Sequence, residues 1–450
     1  MSIASELARF VTGTKTAELP ALALERARMV IASTIASAAM GKNITSSQII
    51  RALAIEKAGA AEATVWFAAG QKLPAAETAR VNAVMSDAAA SDDSDLRSIA
   101  HIGTIISTTA IAIAERIGAS GRDVLGAMVL GYEIAGRIDE ALTPGRLERG
   151  FHGSISTIFG GAVAAGVLLD LTQAQMTQAI ALAATSIGGL HVAANTSVAR
   201  EYHAGNSALL GVNAALAARK GFIAEEHVLE MPRGFFSAYG GSHLEDVTRD
   251  LGGSWDIVTN MAVKLVPGGH PHHAAAEAAA NAAIAGNVDP ADVVGIVVSA
   301  PKYRRLPGPS HPTDLIGVAH SPTYFIAAAI ADKGYGWIHA SPEKVTDPTI
   351  ARLIDKISAD PDPKPYPDRF PHHHGATVTI RLKDGREFSS HVDFPRGSGP
   401  RGIDWADVDA KYRTLAPLSG MTPQNVAASL EVVHDFETIK SMSQLTKLLD

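Results

Sequence analysis

Apolar residues recur at helical spacing along most of the first 265 residues. The pattern predicts helices over 3–12, 21–40, 46–57, 75–90, 104–117, 121–140, 155–169, 172–187, 207–220 and 225–230. Few stretches in this part alternate apolar and polar residues with the period of a strand. The sequence therefore predicts a mostly helical first domain.

The pattern changes after Pro267. The β-branched run at 293–299 predicts a buried strand. Two further runs, 376–382 and 387–392, flank Asp384-Gly385, and this spacing is typical of a β-hairpin. This part of the chain is therefore predicted to contain a small sheet.

Helices are also expected beside this sheet and after it. Their apolar spacing places them over 321–331, 348–357, 405–414, 422–433 and 438–449. The last three most simply rejoin the first domain. We predict a mainly α fold: a large helical domain built from 1–266 and 397–450, and a smaller α+β lid domain over 267–396.

Composition narrows the class of protein. The chain has 450 residues, 46% of them hydrophobic, which is enough for a large core and more than one domain. A net charge of -7 argues against nucleic acid and anionic membranes as main partners. The absence of cysteine excludes disulfides, Cys-ligated zinc and a cysteine nucleophile. Because neither a signal peptide nor a membrane span is apparent, a cytoplasmic protein is expected.

A histidine-rich segment at 264–277 is the first candidate for chemistry. A Pro-Gly-Gly breaker and three histidines precede an alanine-rich run, and Pro271 suits the first turn of a helix. His272 and His273 should then lie at a helix N-terminus, which favours an anionic ligand and a neutral imidazole. The segment could supply a base for a carboxylate substrate, or it could be a surface histidine cluster or a fortuitous metal site.

Two polar segments interrupt the helices of the first domain. The acidic run 91–95 is followed by His101, and Gly150-Phe151-His152 leads into a Gly/Ala-rich helix. Each places ionisable groups at helix ends, where they could contact substrate. The alternatives are a helix cap with a solvated acidic turn, and a buried, hydrogen-bonded histidine.

Two later segments add a cation and a phenol. Arg200, three residues before His203, offers a planar fork suited to a carboxylate, unless it pairs with Glu201 or another helix. Tyr303 follows the predicted strand and could donate to an oxyanion, although a tyrosine at an interface is as common.

The sequence lacks the usual motifs for metals and nucleotides. The run 372–374 is three histidines in a Pro-rich loop and could bind a metal adventitiously. Neither a His-Glu-x-x-His nor an EF-hand pattern occurs, and no P-loop or Gly-x-Gly-x-x-Gly after a strand is found. We expect neither a catalytic metal nor a nucleotide cofactor.

Taken in order, these segments resemble the family of 2-methylcitrate dehydratase and cis-aconitate decarboxylase, the MmgE/PrpD family, over essentially the whole chain. The family's acidic loop reads Asp-x-Asp-Asp-Thr, with His-Pro shortly after; here it is Ser91-Asp92-Asp93-Ser94-Asp95, then His101-Ile102. A shifted alignment would place Asp92-Asp93-Ser94 on Asp-Asp-Thr instead. Gly150–His152 matches the family's Gly-x-His segment.

The remaining family segments follow in the same order. Ala199–Gly205 matches Thr-Lys-x-x-His-x-Gly, with Arg200 in place of the family lysine. Lys264–Pro267 matches Lys-x-Tyr-Pro, with His273 and Glu277 beyond it, and the lid tyrosine falls on Tyr303.

The resemblance implies a cofactor-independent homodimer with an active site between helical domain and lid, acting on a small anionic polycarboxylate. The residues it implies are catalytic His273, His101, His152, Tyr303 and Asp93, and substrate-binding Arg200, Lys264, Asp92 and His203.

Two departures from the family pattern bear on substrate. Ser91 stands in place of an aspartate and Arg200 in place of a lysine. They indicate a diverged branch resembling iminodisuccinate epimerase, which would invert a carbon α to a carboxylate by removing and returning a proton. The alternatives are a 2-methylcitrate dehydratase or cis-aconitate decarboxylase-like lyase, and a non-catalytic polycarboxylate-binding homologue.

Overall fold

The computed structural model describes residues 1–97, 99–186, 188–301, 303, 308–363, 375–398 and 401–449. The chain divides into two compact units. The first consists of Met1–Val263 and Asp404–Asp450, and the second of Lys264–Ile403. The predicted mainly α fold with an α+β part is confirmed.

The first unit is helical. Its helices are α1 Ile3–Gly13, α2 Ala21–Gly41, α3 Thr45–Lys57, α4 Ala75–Ala88, α5 Ile102–Ile117, α6 Gly121–Leu142, α7 Gly145–Glu148, α8 Ser154–Leu168, α9 Gln173–Thr185, α10 His191–Thr196, α11 Ala199–Arg219, α12 Phe235–Tyr239, α13 Asp256–Thr259, α19 Trp405–Leu415, α20 Pro423–His434 and α21 Ser443–Thr446. Four short strands pair in two antiparallel ribbons: β1 Ala63–Thr64 with β2 Lys72–Leu73, and β3 Asp93–Asp95 with β4 Met261–Val263.

Small residues let the helices of this unit pack closely. Helix α8 is buried along almost its whole length and packs against α5, α6, α9 and α11. A Cβ at Gly131 of α6 would lie 2.7 Å from the carbonyl oxygen of Gly160, and one at Gly211 of α11 would lie 2.9 Å from that of Ile158. Glycine at these positions therefore allows the backbones to approach.

The C-terminal helices complete this unit. Helix α19 packs on α2. Its buried Lys411 donates from Nζ to the Ser33 hydroxyl at 2.8 Å and to the Ser91 carbonyl oxygen. The end of the chain therefore supports the acidic segment directly.

The second unit contains a four-stranded sheet and five α-helices among its described residues. The helices are α14 His270–Ala285, α15 Leu315–His320, α16 Tyr324–Ala331, α17 Pro342–Val345 and α18 Pro348–Ile354. The strands are β5 Val293–Ser299, β6 Ile357–Ala359, β7 Ala376–Leu382 and β8 Glu387–Val392, in the order β6-β5-β7-β8.

The sheet is mixed, with β5 and β6 parallel and the other pairs antiparallel. The predicted β7–β8 hairpin is confirmed, and Gly385 takes a φ of 86° in its turn, a conformation that favours glycine. Ile296, Val298, Val378 and Ile380 bury one face against α14 and α16.

Some predicted elements are wrong. Residues 225–230 form turns rather than a helix, and the predicted helix 438–449 is reduced to a short turn of helix at Ser443–Thr446. The predicted helix 348–357 ends at Ile354, and Ile357 begins β6 instead. Among the described helices, none combines the length and apolar character that a membrane crossing requires.

Candidate active site

The acidic segment is a buried strand that holds the start of α5. Asp93 in β3 lies opposite Val263 of β4 and accepts hydrogen bonds from the backbone N–H groups of Gly103 and Thr104, at 2.7 and 2.9 Å. A Cβ on Gly103 would lie 2.6 Å from the Asp93 carboxyl carbon, so glycine is needed there. Asp93, predicted as catalytic, thus has a structural role, because it satisfies two of the orphan donors of the helix.

His101 is oriented by this segment through one ring nitrogen. Its Nδ1 lies 2.6 Å from the Asp93 carbonyl oxygen and 3.2 Å from Asp92 Oδ2. Because a carbonyl oxygen only accepts, Nδ1 carries a hydrogen, and Nε2 is the acceptor whenever the ring is in its neutral form. The Thr104 hydroxyl donates to the same Asp92 oxygen at 3.2 Å.

A local pairing of two loops places His152 and His191 together. The N–H of His152 donates to the Gly189 carbonyl at 3.0 Å, and that of His191 donates to the Gly150 carbonyl at 2.9 Å. Phe151 and Leu190 form the bridge between these bonds.

Three other imidazoles gather around that of His152. Its ring centroid lies 6.4 Å from that of His101, 6.4 Å from that of His191 and 5.5 Å from that of His203 on α11. The structure therefore brings together three predicted histidines, and adds His191.

Burial disfavours the protonated form of three of these imidazoles. It lowers the pKa of His152 well below its usual value, and His101 and Arg146 lower it further. The pKa values of His191 and His203 are also lowered, mainly by burial. The Ser154 N–H donates to His152 Nδ1 at 3.3 Å, so the hydrogen of this ring is on Nε2. His152 therefore offers a donor where His101 offers an acceptor.

The nearby cation Arg146 is paired with a carboxylate. Its Nε and Nη2 lie 2.9 and 3.3 Å from the two oxygens of Asp139, and both residues are buried. Ser156 of α8 also donates to Asp139. Sequence reasoning missed this pair, because nothing in the spacing of the two residues indicates a shared site.

Arg200 also binds within the protein. Its Nε donates to Asp87 Oδ2 at 2.9 Å, and Nη2 donates to the Asp87 carbonyl oxygen. Asp87 was not among the predicted site residues. Its signal is a single carboxylate at the end of an alanine-rich helix, at a position that the apolar spacing would bury.

One set of described residues has the composition of a small metal site. Oxygen or nitrogen atoms of Asp87, Asp92 and His101 lie within 4.8 Å of one another. The Arg200 guanidinium already neutralises Asp87, and His101 presents its Nδ1 hydrogen to the Asp93 carbonyl oxygen and to Asp92 Oδ2. This donor set fits a carboxylate pair compensated by arginine better than a metal centre.

The second unit carries the other predicted histidines at the start of α14. His270, His272 and His273 are buried, and Pro271 lies in the first turn as predicted. His273 Nε2 donates to the Gly268 carbonyl at 2.9 Å, so Nδ1 is the acceptor of the neutral ring.

Two tyrosines accompany this helix in the same unit. Tyr335 stands with its ring centroid 5.9 Å from that of His273 and donates to the Pro267 carbonyl. Tyr303 donates to the Pro322 carbonyl at 3.0 Å, and burial raises its pKa. Lys264, directly after β4, is 1% exposed. The run 372–374 lies outside the described residues.

Two sequence models of one protein family match this chain, one after the other. The sequence model of the MmgE/PrpD N-terminal domain matches residues 5–246, and that of the MmgE/PrpD C-terminal domain matches residues 267–436.

Full-length relatives are also found. The chain is 24% identical to the cis-aconitate decarboxylase of Homo sapiens, over 100% of this chain and 94% of that protein. It is 26% identical to the Mus musculus enzyme of the same name, over 86% and 80%. It is 24% identical to the cis-aconitate decarboxylase-like protein oryM of Aspergillus oryzae, over 100% and 97%.

Proposed function

Because the chain belongs to the MmgE/PrpD family, we propose that it is a lyase acting on a small polycarboxylate, of the cis-aconitate decarboxylase type. The relatives named above support this choice over the epimerase that the departures at Ser91 and Arg200 suggested. The observation that carries the proposal is the pair of neighbouring imidazoles, His101 and His152, whose Nε2 atoms have opposite hydrogen-bonding character when both rings are neutral.

The proposed reaction needs one proton and support for negative charge. Loss of carbon dioxide leaves an electron pair on the carbon skeleton, and a proton must be delivered there. His101 is suited to carry it on Nε2, because the adjacent Asp92 carboxylate stabilises the imidazolium and fixes the ring. His152, held neutral, can donate from Nε2 to a substrate carboxylate or to the charge that develops.

Other residues have proposed roles in substrate contact. His203 and His191 flank His152 and could donate to a second carboxylate. In the second unit, Lys264 and His273 are buried polar groups, and His273 has its acceptor on Nδ1. These roles are to be tested by substitution.

Epimerisation of iminodisuccinate is a second candidate, supported by Ser91 and Arg200. It begins with removal of an α-proton, which His101 Nε2 could accept. Dehydration of 2-methylcitrate could begin in the same way. The three reactions differ in what leaves: carbon dioxide, water or nothing. A non-catalytic polycarboxylate-binding protein would change none of the three compounds.

The test is proton NMR in deuterated water with each compound separately. Release of carbon dioxide from cis-aconitate, with one solvent deuterium in the product, would support the decarboxylase. Exchange of the α-proton of iminodisuccinate with appearance of the other diastereomer would support the epimerase instead. Loss of the methine proton of 2-methylcitrate, with its methyl doublet replaced by a methyl singlet on a double bond, would support the dehydratase. His101→Gln should abolish the activity, whereas His243→Gln, at an exposed histidine of the same unit, is the matched control.

A further inference from the structure

Arg200 joins two helices of the first unit. It lies in the first turn of α11 and is 8% exposed. One of its nitrogens binds the Asp87 carboxylate and another binds the Asp87 carbonyl, so the guanidinium grips the last turn of α4 by side chain and backbone. Both helix ends are thereby fixed relative to each other.

The charges around Arg200 are negative. Asp87, Asp92 and Glu201 all raise the pKa of the guanidinium, the first through direct contact. With Asp87 and Asp92 ionised, the guanidinium and these two carboxylates together carry no net positive charge. A substrate carboxylate placed here would meet net repulsion, so the site is poorly suited to clamp an anion.

Asp87 and Asp92 are close enough to compete for one proton. Their oxygens and the nearest His101 nitrogen lie within 4.8 Å of one another, and both aspartates are fully buried. Two buried carboxyl groups at such a distance share a proton unless a cation compensates them. Arg200 is the guanidinium in contact with Asp87.

We propose that Arg200 is a positioning residue: by neutralising Asp87 it leaves Asp92 ionised as the partner of His101 Nδ1, and it does not bind the substrate. This rests on the proposed role of His101 in proton transfer. Arg200 contacts Asp87, Asp87 and Asp92 have oxygens within 4.8 Å of each other, and Asp92 contacts the ring of His101.

The choice of arginine fits this role. Its planar fork can bind the carboxylate and the main-chain oxygen of Asp87 together, whereas lysine provides one point charge. Arg200→Lys should therefore keep the charge compensation but loosen the grip, and it should retain more activity than Arg200→Gln.

The experiment is a double-mutant cycle with Arg200→Gln, Asp87→Asn and the two combined, followed by kcat, KM and thermal unfolding. Arg200→Gln should lower kcat by about 10- to 100-fold, the usual effect of removing a group that orients a reactive histidine, with KM within about twofold. Asp87→Asn in the same chain should restore most of kcat, because the carboxylate that needed compensation is gone.

Two kinetic outcomes would overturn the proposal. One is a rise in KM of about tenfold or more that Asp87→Asn does not reverse, because a lost substrate contact is worth roughly that much. The other is an Arg200→Gln variant with unchanged kcat and KM. Arg219→Gln, at an exposed arginine of the same helix, is the matched control.

A second readout does not depend on turnover. It therefore distinguishes failure of the proposed function from failure of the positioning role proposed for Arg200. The nitrogen NMR signals of His101, assigned through His101→Gln, report which ring nitrogen carries hydrogen. They should change in Arg200→Gln, recover in the combined variant and be nearly normal in Arg200→Lys. Signals that stay as in the wild type would reject the proposal even if every tested compound is left unchanged by the enzyme.

Discussion

Replacing Glu201 should stabilise the protein by an amount that grows as the pH rises above about 4.5 and is complete above about pH 7. Glu201 is 3% exposed in the first turn of α11 and accepts a hydrogen bond from the Ser46 hydroxyl at 3.0 Å. Burial raises its pKa from an ordinary 4.5 to about 7, although Arg200 acts in the opposite direction. The folded protein therefore prefers the protonated form of this side chain.

The size of the effect follows from linkage. Below pH 4.5 the carboxyl is protonated in both the folded and the unfolded chain, and it has no effect. Between pH 4.5 and 7 the unfolded chain releases the proton first, so stability falls as pH rises. A tenfold change in proton affinity is worth about 1.4 kcal/mol, so above pH 7 the ionised group costs about 3 kcal/mol.

Glu201→Gln imitates the protonated form and keeps an acceptor for Ser46. Thermal unfolding at about pH 5 should be close to that of the wild type. At about pH 8.5 the variant should unfold about 5 °C higher, given the unfolding entropy of a unit of roughly 300 residues. Glu56→Gln, at an exposed glutamate of α3, is the control. A difference between variant and wild type that does not grow between these two pH values would refute the reasoning.

Three further predictions concern the candidate site. His273→Ala should abolish turnover with an unchanged circular dichroism spectrum, and near-normal kcat would remove His273 from the mechanism. His152→Gln should reduce the loss of stability below pH 6.5 by up to about 1.4 kcal/mol per pH unit, because the unfolded chain takes up a proton there that buried His152 refuses; identical unfolding midpoints in wild type and variant on both sides of that pH would count against its lowered pKa. Treatment with a chelator should leave activity unchanged, because Arg200 compensates Asp87; a loss that a divalent cation restores would show a metal at Asp87 and Asp92 instead.

The sequence was most informative where a helix buries one face. The apolar spacing of α2, α5, α6 and α8 predicted these elements to within a few residues. The start of α11 was missed, because Ala199–Asn206 is polar and its burial depends on contacts such as that between Arg200 and Asp87. The turns at 225–230 carry a helix-like pattern without the packing that would stabilise a helix.

Some residues of the candidate site could likewise be predicted from the sequence, and other features of the site could not. His101 and His152 were found because each lies just before a helix, and His203 because it follows Arg200 in a segment that resembles the family. β3 could not be predicted: its residues are Asp93-Ser94-Asp95, with no apolar alternation, and its partner β4 is far away in sequence. Hydrogen-bonding character, such as the proton on His101 Nδ1, likewise depends on atoms brought close only by folding.

The support that Lys411 gives to Ser33 and Ser91 has a consequence for synthesis on the ribosome. Translation delivers residues 264–403 before 404–450, so the second unit has its whole sequence while the first still lacks α19. Until then the α2 surface that α19 covers is exposed, and the backbone beside Asp92 lacks its ammonium donor. The first unit, although its synthesis starts before that of the second, is therefore completed after it, and a nascent chain has to keep an apolar helix surface from aggregating for the whole interval.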